Sequence, residues 1–320
     1  AGELAPPRAG PPVSRDPRCA ADAPLWPVPG PGESPQRRRP PRRARRLLVL
    51  AVLAAVIGIA ALVIALAVGR KSGPPPPPPE LRITFPEGQT RAQMAARITA
   101  VDAIAQQTRQ LDPIMTARGY LAATRSWLTP AWFETTTRRR PLEGFLFPST
   151  YSFLVQTPAR ALAADQLAAF ADAWQSLDLR YARSKNLTAY DVLIIASMVE
   201  KEIAAPEERR LAAAVIYNRL KARMRLQIDA TLLYGFGLPA GAALTGTQLR
   251  TDNPYNTYTR FGLPPTPIAN PGLAALEAAA HPAAVAYLYY LRKPDGLHHY
   301  FTASYPAFCA KRVQYGYGAC

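Results

Sequence analysis

Thr188-Ala189-Tyr190-Asp191-Val192-Leu193-Ile194-Ile195-Ala196-Ser197-Met198-Val199-Glu200-Lys201-Glu202 opens as a helix and closes on two carboxylates. Thr188 and Asp191 form a Ser/Thr-x-x-acid capping pair, which starts the helix near Ala189. Leu193 to Val199 carry no charge. A carboxyl at the end of such a run can leave water and keep its proton near neutral pH, as a general acid must. Glu200 and Glu202 are two positions apart, about 200° around a helix, so they face nearly opposite sides. Periodicity leaves open which one enters a cleft, with a slight preference for Glu200, whose neighbours Ala196 and Ser197 are small.

The flanking segments predict an α+β domain. Upstream, a helix runs from about Pro158 to Leu177. Downstream, Pro206 suits the first turn of another helix, with Glu207 and Glu208 at its positive dipole end and Leu211, Val215, Ile216 and Leu220 on one face. Further on, Tyr287 to Leu291 and His299 to Thr302 read as strands of a hairpin around Asp295-Gly296. Nearer the N-terminus, Leu81, Ile83 and Phe85 alternate with polar residues as in a half-buried strand, and Thr90 caps a helix carrying Met94, Ala95 and Ile98. They open a small module over residues 81–140, ahead of a larger mixed α+β domain at 141–320.

The N-terminal quarter differs in kind. Residues 1–46 are rich in Pro, Gly and Arg, lack an apolar face, and read as a disordered tail. Leu47 to Gly69 is uncharged and, as a helix, spans roughly 33 Å, close to a bilayer core. It reads as a single retained membrane span. Seven arginines between Arg37 and Arg46 precede it and only Arg70 and Lys71 follow, which puts the tail in the cytoplasm and the rest outside. Residues 70–80, with Pro74 to Pro79, form a stiff polyproline spacer.

The net charge of +16 divides into +6 for residues 1–46 and +10 for the remainder. An anchored extracytoplasmic domain meets little nucleic acid, so an anionic polymer or membrane surface fits this charge better. Cys309 and Cys320 can pair in an oxidising compartment, and no Cys lies beside a candidate base. The histidines, His281, His298 and His299, form no His-Glu-x-x-His motif, and neither a nucleophile elbow nor a phosphate loop is present. No metal or cofactor is expected. Tyr217, Tyr255, Tyr258 and Phe261 could pack in a core or stack on sugars.

Several ordered motifs carry a resemblance. They are Leu142-Glu143-Gly144-x-x-x-Pro148-x-Thr150, Ala196-Ser197-x-x-Glu200-Lys201-Glu202, Tyr217-Asn218-Arg219-Leu220, Met224-x-Leu226-Gln227-x-Asp229 and Tyr255-Asn256-Thr257-Tyr258. Gly262-Leu263-Pro264-Pro265-x-Pro267-Ile268, Pro271-Gly272 and His299-x-Phe301 complete the series. Over about residues 81–302 the chain resembles the MltG (YceG-like) endolytic murein transglycosylases. Phe85-Pro86-Glu87-Gly88 is similar to the opening of that family's LysM-like module.

The resemblance implies a membrane-anchored lyase that cuts nascent peptidoglycan strands between N-acetylmuramic acid and N-acetylglucosamine, leaving 1,6-anhydromuramyl ends. By residue match Glu200 is its acid/base. Glu143, Ser197, Glu202, Asn218, Gln227, Asp229, Asn256, Tyr258 and His299 bind substrate or orient Glu200. Peptidoglycan synthases or cell-division proteins are the implied partners. The chain departs from the family pattern at Ile228 and Ala230, and at Ala307-Phe308 where an acid-His pair is usual.

Overall fold

A computed structural model describes residues 42–68, 77–130, 133 and 139–320. The chain forms two compact units, one through Pro75 and one from Pro76 to Cys320. In the first, α1 runs Arg42–Val68. It starts ahead of the apolar run because Arg and Ala are good helix formers. Residues 42–46 therefore belong to the helix and not to the expected tail, whose residues 1–41 lie outside the described residues. Arg45–Leu66, 22 residues, is long and apolar enough to cross a membrane. Pro77 to Pro79 are exposed coil, and 70–76 of the expected spacer lie outside the described residues.

The second unit mixes helices and strands. Strand β1, Glu80–Thr84, buries Leu81 and Ile83 as its alternation predicts. Next come α2, Arg91–Arg109, and α3, Ala117–Ala123, followed by the short antiparallel pair β2, Trp127–Leu128, and β3, Arg139–Arg140. Thr90 and Gln93 close a capping box at the start of α2. The partner of β1 is β4, Thr150–Leu154, antiparallel with Ile83 opposite Tyr151. This pairing crosses the expected border at 140. Backbone groups of β1 need a ladder, β4 supplies it from beyond that border, and both strands fold within the 76–320 unit.

The core continues from β1 and α2 into the helices that follow: α4, Ala159–Gln175; α5, Arg180–Ser184; α6, Ala189–Glu202; and, after a 3₁₀ turn at Pro206–Glu208, α7, Arg209–Lys221. The short helices α8, Asp229–Gly235, and α9, Gly246–Arg250, then lead to α10, Leu273–Ala280. The opening stretch is α6, with the predicted Thr188/Asp191 capping box. Val192 to Val199 are all buried, as in a helix apolar all round, and α7, α8 and α10 pack against it. Ile203 then turns extended, which leaves the last turn of α6 at the edge of the core. Strands β5, Tyr289–Arg292, and β6, His299–Thr302, form the predicted hairpin with Arg292 opposite His299. Helix α11, Tyr305–Gln314, closes the chain, and Cys309 and Cys320 form a disulfide.

Candidate active site

A cleft of about 840 Å³ opens where α6 ends, bounded by α8, the β5–β6 hairpin and α11. Lys201, Glu202, Arg219, Gln227, Asp229, Tyr234, Tyr258, Tyr290, Arg292 and His299 line it. Glu202 is the carboxylate of the pair that reaches this cleft. Tyr290 Oη donates to its Oε2 at 3.1 Å and the Ala230 amide donates to its Oε1 at 3.4 Å. Desolvation raises its pKa above the ordinary carboxylate range; the Tyr290 bond opposes the rise and the neighbouring Asp229 charge adds to it.

Glu200 sits elsewhere. Its Oε2 accepts from the Gly272 amide at 3.0 Å, and its stem lies beside Gly88. Its pKa is raised too, first by desolvation, so proton affinity alone does not choose between the two acids. Location does. The expectation puts Glu200 towards the substrate and Glu202 away from it, whereas Glu202 is the acid that lines this cleft. The two acids do take opposite sides, as the helix period requires, but the neighbours α8 and β5 that wall the cleft lie on the Glu202 side. Gly88 and Gly272 flank Glu200: a Cβ on Gly88 would stand 3.3 Å from Glu200 Cγ, and one on Gly272 would stand 1.8 Å from Glu87 Oε1.

The other expected residues divide in two. Gln227, Asp229, Tyr258 and His299 line the cleft with Glu202. Asp229 accepts a short hydrogen bond from Tyr258 Oη. Gln227 has φ 52°, a left-handed conformation, and its amide donates to Thr257 O. His299 is buried and hydrogen-bonds through Nδ1 to Glu208 Oε2 at 2.8 Å, while Glu208 also accepts from the His299 amide. That bond leaves Nε2 as the imidazole nitrogen for any further contact.

Glu143, Ser197, Asn218 and Asn256 hold the frame instead. Glu143 Oε1 accepts from the Arg91 amide at the start of α2 and from Asn270, while Oε2 accepts from Tyr234 Oη, a cleft residue. Burial pushes its pKa up to about 7. Ser197 Oγ donates to Ile194 O and accepts from the Ile268 amide. Asn218 Nδ2 donates to the carbonyls of Val285 and Tyr287 ahead of β5. Asn256 donates to Thr251 O and accepts from the Tyr258 amide, which aims Tyr258 at Asp229. Lys201 donates to Gly88 O and lines the cleft.

Of the four aromatic residues considered for sugar stacking, Tyr258 reaches the cleft. Tyr217 is buried with its hydroxyl on Ala279 O, Tyr255 bonds Thr266, and Phe261 is exposed beneath Arg225. Sequence reasoning missed Tyr290 and Glu208. Glu208 was expected to serve a helix dipole; it is instead buried against His299. Tyr290 carried one signal, an aromatic hydroxyl in a strand next to the His299 strand.

The family model for the YceG-like family matches residues 58–314. The chain belongs to the YceG-like family. Among curated proteins, this YceG-like chain is 40% identical over 161 residues to the endolytic murein transglycosylase of Bacillus subtilis (strain 168), covering 49% of this chain and 44% of that protein. It is 34% identical over 228 residues to the endolytic murein transglycosylase of Streptococcus pneumoniae (strain ATCC BAA-255 / R6), covering 65% of this chain and 40% of that one. The chain thus spans less than half the length of these relatives. A crystal structure of a putative YceG-like protein from Listeria monocytogenes superposes with a TM-score of 0.58 at 27% identity, covering 79% of this chain and 80% of that one.

Proposed function

We propose that this protein is a peptidoglycan lytic transglycosylase in which Glu202 is the acid/base. One observation carries the reading: a carboxyl with raised proton affinity stands in a cleft with Tyr258, Tyr290, Gln227 and Asp229, the aromatic and polar lining that sugar rings require. Protonated Glu202 gives its proton to the glycosidic oxygen, and the bond from that oxygen to the muramyl C1 breaks. The carboxylate then takes the proton of the muramyl O6 hydroxyl as O6 bonds to C1. Water is neither consumed nor released. Asp229, held by Tyr258, lies where a negative charge steadies the oxocarbenium-like transition state. Tyr290 fixes the Glu202 carboxyl, and Glu208 fixes the ring of His299.

The finer layout rests on the same reading. Helix α1 serves as a single span with its arginine-rich end in the cytoplasm, which puts the 76–320 unit outside; the Cys309–Cys320 bridge suits that compartment. The antiparallel pair β1 and β4, with α2 and α3 between them in sequence, forms the LysM-like wall-binding element. Peptidoglycan synthases and division proteins are its neighbours at the site of strand growth.

Digestion of purified glycan strands with mass analysis of the ends tests the activity. Ends of anhydromuramyl mass are expected. The presence of Asp229 beside Glu202 favours a second reading, a hydrolysing muramidase with two carboxylates. Products heavier by one water would establish that reading, and binding without any shortening would leave only a wall-binding scaffold.

A further inference from the structure

Helix α11 and the tail behind it form one wall of the cleft. Tyr305, Phe308, Arg312, Tyr317 and Cys320 all line it. Gly316 and Gly318 have φ of 83° and 79°, left-handed conformations that fold the tail back along α11, and the Cys320 bridge to Cys309 pins it there. Tyr289 of β5 stacks on Phe308 and packs against Tyr305, joining this arm to the hairpin that bears Tyr290. The arm is therefore fixed at both ends.

Arg312 is the cation of this arm that faces the cleft. Its Nη2 donates to Tyr317 O at 2.9 Å, its guanidinium lies 5.9 Å from the Phe308 ring centre, and its Nε is buried with no acceptor. Among the described residues it has no carboxylate partner. A guanidinium held by one carbonyl and left with unused donors beside an open cleft fits a planar anion. Arg292, exposed at the end of β5, also lines the cleft.

We propose that the disulfide-pinned arm is a subsite for a carboxylate of the peptide stem carried by the muramyl residue, with Arg312 as its recognition residue. The inference rests on the peptidoglycan reading above and names the part of the substrate that the arm selects. The glycan runs past Glu202, and the lactyl-linked peptide leaves the sugar ring towards the α11 wall. Loss of the bridge releases the tail that positions Arg312 through Tyr317 O, so recognition depends on the oxidised state.

The disaccharide N-acetylglucosaminyl-N-acetylmuramic acid contains no muramyl-to-glucosaminyl bond to cut, so it reports binding whether or not the protein is a lyase. Titration calorimetry on the full chain compares this disaccharide bearing a pentapeptide, the same compound with its carboxylates amidated, and the peptide-free disaccharide. The intact stem is expected to bind about tenfold more tightly than either control, the size of one charge-assisted hydrogen bond. Arg312→Gln should abolish that preference, Arg312→Lys should keep part of it, and Cys309→Ser with Cys320→Ser should lose it in a folded protein. Equal or absent binding of all three compounds by the unmodified chain, or a preference that survives Arg312→Gln, overturns the proposal. A retained, Arg312-dependent preference with no anhydromuramyl product would instead sink the lyase reading and leave the subsite standing.

Discussion

Exchanging each acid of the α6 terminus separately for its amide distinguishes the two sides of the helix. In Glu202→Gln the group between Tyr290 Oη and the Ala230 amide can neither give nor take a proton. Loss of a general acid/base lowers the rate by roughly 10²- to 10⁴-fold, and because one residue serves both proton transfers the upper end is expected. Glu200→Gln keeps an oxygen for the Gly272 amide and only changes a charged acceptor into a neutral one. That exchange costs about 1 kcal/mol, or a Tm decrease of roughly 2–4 °C for a unit of this size, with activity within a few-fold of the parent. Glu200→Ala leaves the Gly272 amide without its acceptor and costs about 1–3 kcal/mol. The assay is release of anhydromuramyl fragments from purified glycan strands, followed by mass spectrometry, with melting curves on the same preparations. A Glu200→Gln protein that melts normally yet loses a hundredfold or more in rate, beside an active Glu202→Gln protein, would refute the placement.

Tyr290→Phe removes a bond that favours the ionised Glu202, so its pKa rises further and the alkaline limb of the pH–rate profile should move to higher pH; a limb that stays or falls contradicts the contact. Glu143, with a folded pKa of about 7 against 4.5 unfolded, binds protons more readily when folded, so its burial costs stability as pH rises through that window, reaching about 3 kcal/mol above pH 7. Glu143→Gln imitates the protonated form, and denaturant melts should show it near the parent at pH 4.5 but more stable at pH 8. Gly144→Ala would set a Cβ 2.6 Å from two Pro267 ring atoms at φ 90°, a cost of about 3 kcal/mol or more, whereas Gly272→Ala meets only the movable end of Glu87 and should cost far less. Equal Tm losses for the two glycine variants would contradict that distinction. Asn218→Ala breaks both bonds to the segment before β5, and hydrogen exchange at Tyr289 to Arg292 should quicken as the hairpin that carries Tyr290 loosens.

Much of this protein was legible in local pattern. The cap at Thr90, the capping box at Thr188, the alternation of Leu81, Ile83 and Phe85, the Asp295-Gly296 hairpin and the long apolar helix are set by neighbours within a few residues, and each formed in the expected segment, the apolar helix with an added turn at Arg42. Ordered short motifs gave the family. What they could not give is which motif residue touches the cleft: Ser197 and Asn218 spend polar groups on a backbone amide and carbonyls far along the chain, and Asn256 spends its own on the nearby Thr251 carbonyl and Tyr258 amide.

The sequence by itself determined that two acids end a buried helix and must face opposite ways, because 100° per residue allows nothing else. Tertiary structure alone decided that Glu202 is the one in the cleft. That choice depends on where α8, β5 and the Gly272 loop pack around the last turn of α6, contacts made across 28, 88 and 72 residues of chain, and no helical period encodes them.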